Sequence, residues 1–207
     1  RELAMLNLDN RAATEEQVYR AAGRIFDTSK DIENSVKAYP VTTKLSSLPP
    51  GVDMERFRPL DAEPLEENRV RTGPKFVPLW STLSQLSGRP VEELQGCKLI
   101  YECSRTDRTK RKDIAMEAFR IVHDALCENE GSPDAVLVLN LCKEETALKK
   151  ELARLADKIN RTNPQKHPDG AAKKRIVVIE NPKDEDMIAL YQMCDVYFTP
   201  SEMEGFG

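Results

Sequence analysis

The chain is 207 residues long, with 40% hydrophobic residues, 32% charged residues and a formal net charge of -4. At roughly 150 residues per domain, this length allows one complete core or two small ones. The composition is that of a globular chain, which excludes a disordered tail or a fibrous repeat, and the acidic balance gives no overall attraction to nucleic acid or anionic membranes.

Three further features concern the whole chain. No apolar stretch approaches the ~18 residues of a membrane helix, so we expect no transmembrane segment and a cytoplasmic location. The five cysteines lack the spacing of a metal site or a disulfide framework, so we predict reduced thiols that are mostly packed in the core. The chain begins at Arg1 rather than Met and stops at Gly207, so we expect a piece of a longer protein.

Residues 1–59 predict short elements that end at a firm turn. A capping-box sequence at Thr14 to Gln17 predicts the start of a helix. The turn is Pro49-Pro50-Gly51, in which two residues with a fixed φ precede one that is permissive. The predicted elements are helices over 2–8 and from 14, a strand over 24–27, a helix over 29–38 and a strand over 41–48.

Residues 60–97 read as a linker or an inserted segment, because several prolines interrupt them. We expect only short helical stretches here, near 81–86 and 90–94. The single tryptophan, Trp80, is expected to pack beneath this segment rather than to form a ligand platform.

After residue 98, strands and helices alternate. The run Ala135 to Leu141 is apolar at every position but one, which is typical of a strand buried on both faces. Ile114, Ala118, Ile121, Val122 and Ala125 predict the buried face of a helix, and Leu148, Leu152, Leu155 and Ile159 predict another. Further strands are predicted over 98–103, 175–180 and 195–199, with a third helix over 187–194. Four strands and three helices in this order predict a doubly wound parallel sheet in an α/β fold.

Ligands of open parallel sheets bind at the carboxyl ends of the strands. The first strand is followed there by a basic loop, residues 104–112, with five cations: Arg105, Arg108, Lys110, Arg111 and Lys112. Cations oppose the dipole at the start of a helix, and a diphosphate ligand would account for them. A solvated basic surface and a nucleic-acid patch are the alternatives.

The fourth strand is followed by a glycine loop, residues 200–207. Gly205 and Gly207 flank Phe206 and would let the backbone approach a ligand, and the Glu204 carboxylate can accept hydrogen bonds from hydroxyls. An ordinary tight turn is the alternative. His123 and His167 have no partner at ligand spacing, so we expect both to be non-catalytic.

Taken in order, these segments resemble retaining glycosyltransferases of the GT-B fold, in the family four group that includes sucrose-phosphate synthases. Residues 48–59 are similar to the segment that ends the family's first lobe. The basic loop with Glu117-Ala118-Phe119 is similar to the opening of the second lobe, and residues 191–207 are similar to the run that ends in Glu-Gly-Phe-Gly. Arg111 departs from the pattern, because Gly or Asn is more usual there.

The resemblance implies a role for each matching residue. Arg105 and Lys110 would hold the diphosphate of a nucleotide-sugar donor. Glu204 would be the catalytic-site carboxylate beside the donor sugar, with the backbone of Gly205, Phe206 and Gly207 next to it. Residues near the nucleotide base would be Glu180, Asn181 and Pro182. The second glutamate of the family's motif would fall after Gly207.

The implied activity is transfer of a sugar from a nucleoside diphosphate to a hydroxyl of a carbohydrate or lipid-linked acceptor, with retention of configuration. No metal and no cofactor besides the donor substrate are expected, and no nucleic-acid partner. Residues 1–59 would end the acceptor lobe, 60–97 would connect the lobes and 98–207 would form a truncated donor lobe. We expect this piece to be inactive by itself. The alternative function is a GT-B-like subunit that has lost catalysis and acts as a binding partner.

Overall fold

The computed structural model describes residues 8–27, 30–40, 42–48, 51, 53, 55, 72–163, 165, 170 and 173–202. The chain divides into two compact units, with the boundary between residues 53 and 54. Within the described ranges, no helix combines the length and the apolar character needed to cross a membrane.

Among its described residues, the first unit contains two helices and a pair of parallel strands. Strand β1 pairs with β2 so that Arg24 lies opposite Lys44. The capping-box prediction is wrong, because Thr14 lies inside the first helix and its hydroxyl donates to the Asn10 carbonyl at 2.8 Å. The predicted turn residues 49–50 and most of the predicted helix over 2–8 lie outside the described residues. The elements are α1 (Leu8–Ala21), β1 (Arg24–Asp27), α2 (Lys30–Lys37) and β2 (Lys44–Ser47).

The second unit has the predicted alternation of strands and helices. Its elements are α3 (Val77–Ser87), α4 (Val91–Gly96), β3 (Lys98–Glu102), α5 (Lys112–Glu128), β4 (Ala135–Leu141), α6 (Ala147–Arg161), β5 (Ile176–Glu180), α7 (Asp184–Met193) and β6 (Val196–Tyr197), with short 3-10 turns at Pro74–Phe76 and Arg108–Lys110. All the strand pairs are parallel, in the order β5-β4-β3-β6. The predicted α/β class with a doubly wound parallel sheet is confirmed.

The strand order fixes where a ligand can bind. From β3 the chain steps outward to β4 and β5, and then returns past β3 to place β6 on its other side. At such a switch point the loops leaving the two central strands diverge and open a crevice. The basic loop follows β3 and the glycine loop follows β6, so both border this crevice.

Both faces of the sheet are covered by helices. Helices α3, α4 and α7 bury one face, and α5 and α6 bury the other. The inner residues of β4 alternate between these two cores, as the continuous apolar run predicts.

The face that α5 turns to the sheet differs from the prediction. Met116, Phe119 and His123 are buried, whereas Ile121 is 60% exposed and Val122 is 55% exposed. Two neighbouring apolar stripes on this helix both fit a period of 3.6 residues, so periodicity could not choose between them. The sheet selects the stripe that carries His123, whose ring contacts Asp134.

Part of the segment expected to be a linker belongs to the core. Trp80, Leu83 and Leu94 of α3 and α4 are buried against the sheet, which confirms the packed role of Trp80. The prolines that suggested interruptions instead start helices: Pro78 lies in the first turn of α3 and Pro90 is the N-cap of α4. Residues 60–71 lie outside the described ranges.

The five cysteines are free thiols, but they are not mostly buried. Only Cys97 is buried, Cys127 is exposed, and the other three are intermediate. The predicted packing of Cys127 is wrong: its thiol lies 3.5 Å from His123 Nδ1 on the same face of α5, but the residue is in the last turn of the helix and is exposed.

Candidate functional site

The basic loop and the start of the glycine loop, residues 200–202, lie side by side at the switch point. The Glu202 backbone N–H donates to the Thr109 carbonyl at 2.9 Å, which joins the two loops directly. One residue after β6, the Phe198 N–H donates to the Tyr101 carbonyl at 2.9 Å and continues the strand pairing towards the loops. Sequence reasoning placed each loop at a strand end, and the strand order brings them together.

The basic loop is built on a hydrogen-bonded turn. Asp107 caps the 3-10 turn and accepts from the Thr109 N–H at 3.0 Å and from the Thr109 hydroxyl at 2.5 Å. The hydroxyl bond holds the pKa of Asp107 below its usual value. The Thr106 hydroxyl oxygen accepts from the Cys142 N–H at 2.8 Å, which fastens the loop to the end of β4. These bonds give the loop a defined shape.

The five cations of the basic loop have different environments. The Arg105 side chain is 84% exposed and lies 3.6 Å from Asp107, and the Arg108 side chain is 76% exposed and pairs with Glu151 at 3.3 Å. Lys110 is largely buried within the turn, with 8% of its surface exposed. The two predicted diphosphate-binding residues therefore combine an exposed guanidinium with a largely buried lysine side chain.

Lys112 has a structural role that the cation pattern did not reveal. Its side chain and that of Glu102 are fully buried and form an ion pair. The Ser104 hydroxyl donates to the same carboxylate. Glu102 ends β3 and Lys112 begins α5, so the pair closes the base of the basic loop. The sequence offered one sign of this pair: Glu102 is a carboxylate at the end of a strand that was expected to be buried.

Arg111 has a left-handed backbone conformation, with φ 47° and ψ 43°. This conformation favours Gly or Asn, which accounts for the residues that are usual here in the resembling family. The guanidinium pairs with Asp113, with Nε to Oδ1 at 3.2 Å and Nη2 to Oδ2 at 3.1 Å, and also with Glu202. The hydrogen bonds that Arg111 donates to Asp113, and then those to Glu202, raise the pKa of Arg111, and the bond to Asp113 lowers the pKa of that carboxyl.

A cavity of about 290 Å³ lies beside these residues. Its walls come from the basic loop and from the first turns of α5 and α6, and they include Arg108, Arg111, Glu151 and Glu202. Guanidinium and carboxylate groups together can bind a ligand that carries both anionic groups and hydroxyls.

The residues predicted near the nucleotide base follow β5, two strands away from β3. At about 4.8 Å per strand this places them about 10 Å from the basic loop along the same edge. The Glu180 carboxylate pairs with Lys149 at 3.0 Å, and Asn181 has a φ of 44°. Lys149 is 4% exposed, and its ammonium pairs with both Glu145 and Glu180.

The remaining predicted site residues are placed as follows. Glu204, Gly205, Phe206 and Gly207 lie outside the described residues, as does His167. His123 is in α5 and is buried. Its ring contacts Asp134, just before β4, at the opposite edge of the sheet from the crevice. In the part of the chain that the structure describes, no group of three or more His, Cys, Asp or Glu is arranged to hold a metal ion.

Comparison with solved structures identifies glycosyltransferases that share this fold. The α,α-trehalose 6-phosphate synthase from Burkholderia multivorans matches with a TM-score of 0.67 and 14% identity, over 93% of this chain and 42% of that one. A sucrose-phosphate synthase from Thermosynechococcus elongatus matches with 0.59 and 16% identity, over 96% and 40%. Anabaena HepE, solved in complex with UDP and glucose, matches with 0.59 and 17% identity, over 96% and 44%.

These matches confirm the predicted GT-B type of α/β fold. The chain spans about two-fifths of the length of the solved structures that it matches. No family model matches it, and no curated protein sequence does. At these identities the likeness concerns the fold.

Proposed function

We propose that this chain binds a nucleotide sugar as part of a retaining glycosyltransferase of the family four type. The parent activity would transfer a sugar from a nucleoside diphosphate to a hydroxyl of a carbohydrate or lipid-linked acceptor. The fold shared with a trehalose-phosphate synthase and a sucrose-phosphate synthase supports a sugar or sugar-phosphate acceptor. HepE, with its bound UDP and glucose, supports a nucleotide-sugar donor.

The observation that carries this proposal is the contact between the two loops at the switch point. The Glu202 N–H to Thr109 carbonyl bond joins the loop that bears Arg105 and Lys110 to the loop that leads to Glu204. A diphosphate bound by the first loop would then have its sugar beside the second. If either loop lay elsewhere in the fold, the two loops could not bind the diphosphate and the sugar of the same donor molecule.

The proposed roles follow from charge and exposure. Arg105, with its exposed guanidinium, and Lys110 would neutralise the charge that builds on the departing diphosphate. Glu204 would accept hydrogen bonds from sugar hydroxyls, and the backbone at Gly205, Phe206 and Gly207 would pack beside the sugar. The base would lie towards Glu180, Asn181 and Pro182.

Retention is the part of the proposal that rests on the resemblance. The described residues of the crevice include no histidine to serve as a general base, since His123 lies at the other edge of the sheet. A front-face transfer, in which the leaving phosphate takes the acceptor proton, needs no such base. The two cations would also serve this step without a metal ion.

The test is calorimetric titration of the 207-residue chain with UDP, GDP and ADP, each beside a corresponding nucleotide sugar. One nucleotide is expected to bind selectively. Lys110→Ala and Lys110→Met, which keeps the apolar stem, should each weaken binding by about tenfold or more, because a charge-assisted hydrogen bond is lost. Lys158→Ala, at the far end of α6, removes the same charge and should bind as the unmodified chain does.

Two results would contradict the proposal. Absence of binding to every nucleotide would favour the catalytically degenerate subunit. Equal affinity of the Lys110 and Lys158 variants would remove Lys110 from the diphosphate site. Thermal melting of each variant establishes that it is folded.

A further inference from the structure

Arg111 combines an unfavourable backbone conformation with contacts to two different segments. A side chain in the left-handed region is strained unless surrounding contacts hold it, and such positions are concentrated at functional sites. Here the guanidinium lies between Asp113, in the first turn of α5, and Glu202, in the loop after β6. The long charged side chain is therefore used at a position where Gly would fit the backbone better.

Asp113 anchors the arginine on its own helix. Both of its oxygens accept from Arg111, at 3.2 and 3.1 Å. The carboxylate also lies in the first turn of α5, where negative charge is favoured by the helix dipole. The guanidinium is thus held in one direction while its remaining nitrogen, Nη1, contacts Glu202.

Glu202 is bound to the basic loop at two points. Its backbone N–H donates to the Thr109 carbonyl at 2.9 Å, and its side chain accepts from Arg111. Thr109 and Arg111 lie on either side of Lys110 in the sequence. The two contacts therefore hold the start of the glycine loop against the residues that flank Lys110.

We propose that Arg111 is a positioning residue that fastens the start of the glycine loop, residues 200–202, to the basic loop beside Lys110. The consequence for a nucleotide sugar rests on the proposed function, whereas the fastening itself is a property of the chain. Arg111 acts through Glu202, so removing either partner has the same effect and removing both adds nothing.

The first measurement is amide hydrogen exchange of residues 198–202 in the 207-residue chain. Arg111→Asn, which keeps a residue that tolerates the left-handed conformation, and Glu202→Gln should each accelerate exchange there by about two- to fivefold. The double variant should match the single variants. Arg161→Asn, at the far end of α6, is the matched control and should leave exchange unchanged.

The second measurement is the affinity of the same variants for the nucleotide sugar that the unmodified chain binds. Affinity should fall in Arg111→Asn and in Glu202→Gln, without further loss in the double variant, while the melting temperature changes little. Arg111→Lys keeps the charge but not the two-sided geometry, and should recover only part of the affinity.

The outcomes separate this inference from the proposed function. Unchanged exchange in Arg111→Asn would overturn the positioning role. Loss of affinity in Arg111→Asn but not in Glu202→Gln would overturn it as well, because the arginine would then contact the ligand directly. Accelerated exchange in a chain that binds no nucleotide would support the fastening and contradict the proposed function.

Discussion

The two ends of the strands in the second sheet, called here the amino edge and the carboxyl edge, place the same kind of side chain in opposite environments. At the amino edge, where the strands begin, Arg89 and Arg175 have side chains that are 0% and 1% exposed. At the carboxyl edge, Arg105 and Arg108 are 84% and 76% exposed. The two buried guanidinium groups are bound by protein carboxylates and carbonyls, although Arg89 Nη2 is buried without a hydrogen-bond partner. The exposed ones can exchange water for a ligand. Among these four arginines, burial separates the two that are bound within the protein from the two that a ligand could reach.

The amino edge is a network that fixes the strand starts. Asp134, just before β4, pairs with Arg89, and one of its oxygens lies 3.1 Å from His123 Nε2. Burial by itself would raise the pKa of Asp134, but the hydrogen bonds from His123 and Arg89 outweigh it and hold that pKa well below its usual value. Burial, with the neighbouring Asp134 carboxylate, also raises the pKa of the Cys97 thiol to about 12.

The start of β5 is held in a similar way. The Arg175 guanidinium pairs with Asp124 and donates to the Ile159 carbonyl at 3.3 and 3.2 Å. The side-chain oxygen of Asn160 accepts from the Arg175 and Ile176 N–H groups, both at 2.9 Å. A strong dependence of stability on the amino edge, and of binding on the carboxyl edge, is therefore expected.

The largest expected effect on stability is at Asp134. Asp134→Ala removes one of the two carboxylates that pair with the buried Arg89, leaving Glu93 at 3.0 Å, and it also removes the partner of His123; arginine cannot lose its charge. We expect a loss of about 3–5 kcal/mol in the free energy of unfolding, measured with urea. Lys158→Ala, an exposed substitution, should change it by less than about 0.5 kcal/mol. Similar losses in both variants would mean that the network is not a major source of stability.

Lys112 is a buried cation at the carboxyl edge, so its substitution tests whether burial by itself makes a cation important for stability. Lys112→Met leaves the buried Glu102 carboxylate without its ion-pair partner. We expect the free energy of unfolding to fall by about 3 kcal/mol. This loss is smaller than that expected for Asp134→Ala, because a buried carboxylate can become neutral by taking up a proton and a buried arginine cannot. Adding Glu102→Leu removes the stranded group and should recover much of the loss in the same urea experiment. If the double variant is less stable than Lys112→Met, the pair is not the reason for the loss.

Acid should weaken the amino edge gradually. A carboxylate with a lowered folded pKa stabilises the protein above its unfolded pKa, about 3.8 for Asp134, and this contribution is lost as the pH falls towards the folded value. The free energy of unfolding should therefore decline below about pH 4, by at most about 1.4 kcal/mol per pH unit for one group. Asp134→Asn should show a flatter decline over the same range, and parallel curves would contradict the assignment.

The sequence was most informative where its signals were local. The apolar run Ala135 to Leu141 predicted a strand buried on both faces, and the cluster of cations marked the loop that follows β3. It was least informative where two local patterns competed. The two apolar stripes of α5 are one such case. The proline-containing sequence of α3 and α4, which suggested a linker but forms helices, is another.

The alternation of apolar runs and helical periods determined the α/β class, because these patterns depend on neighbours in the chain. It also placed Arg105, Lys110 and Glu204 on loops at strand ends. Only the tertiary structure decided that β6 lies beside β3 and that Glu202 therefore meets Thr109 and Arg111. The same holds for the burial of Lys112 and Lys149, since burial depends on groups that are distant in the sequence and brought together by the sheet.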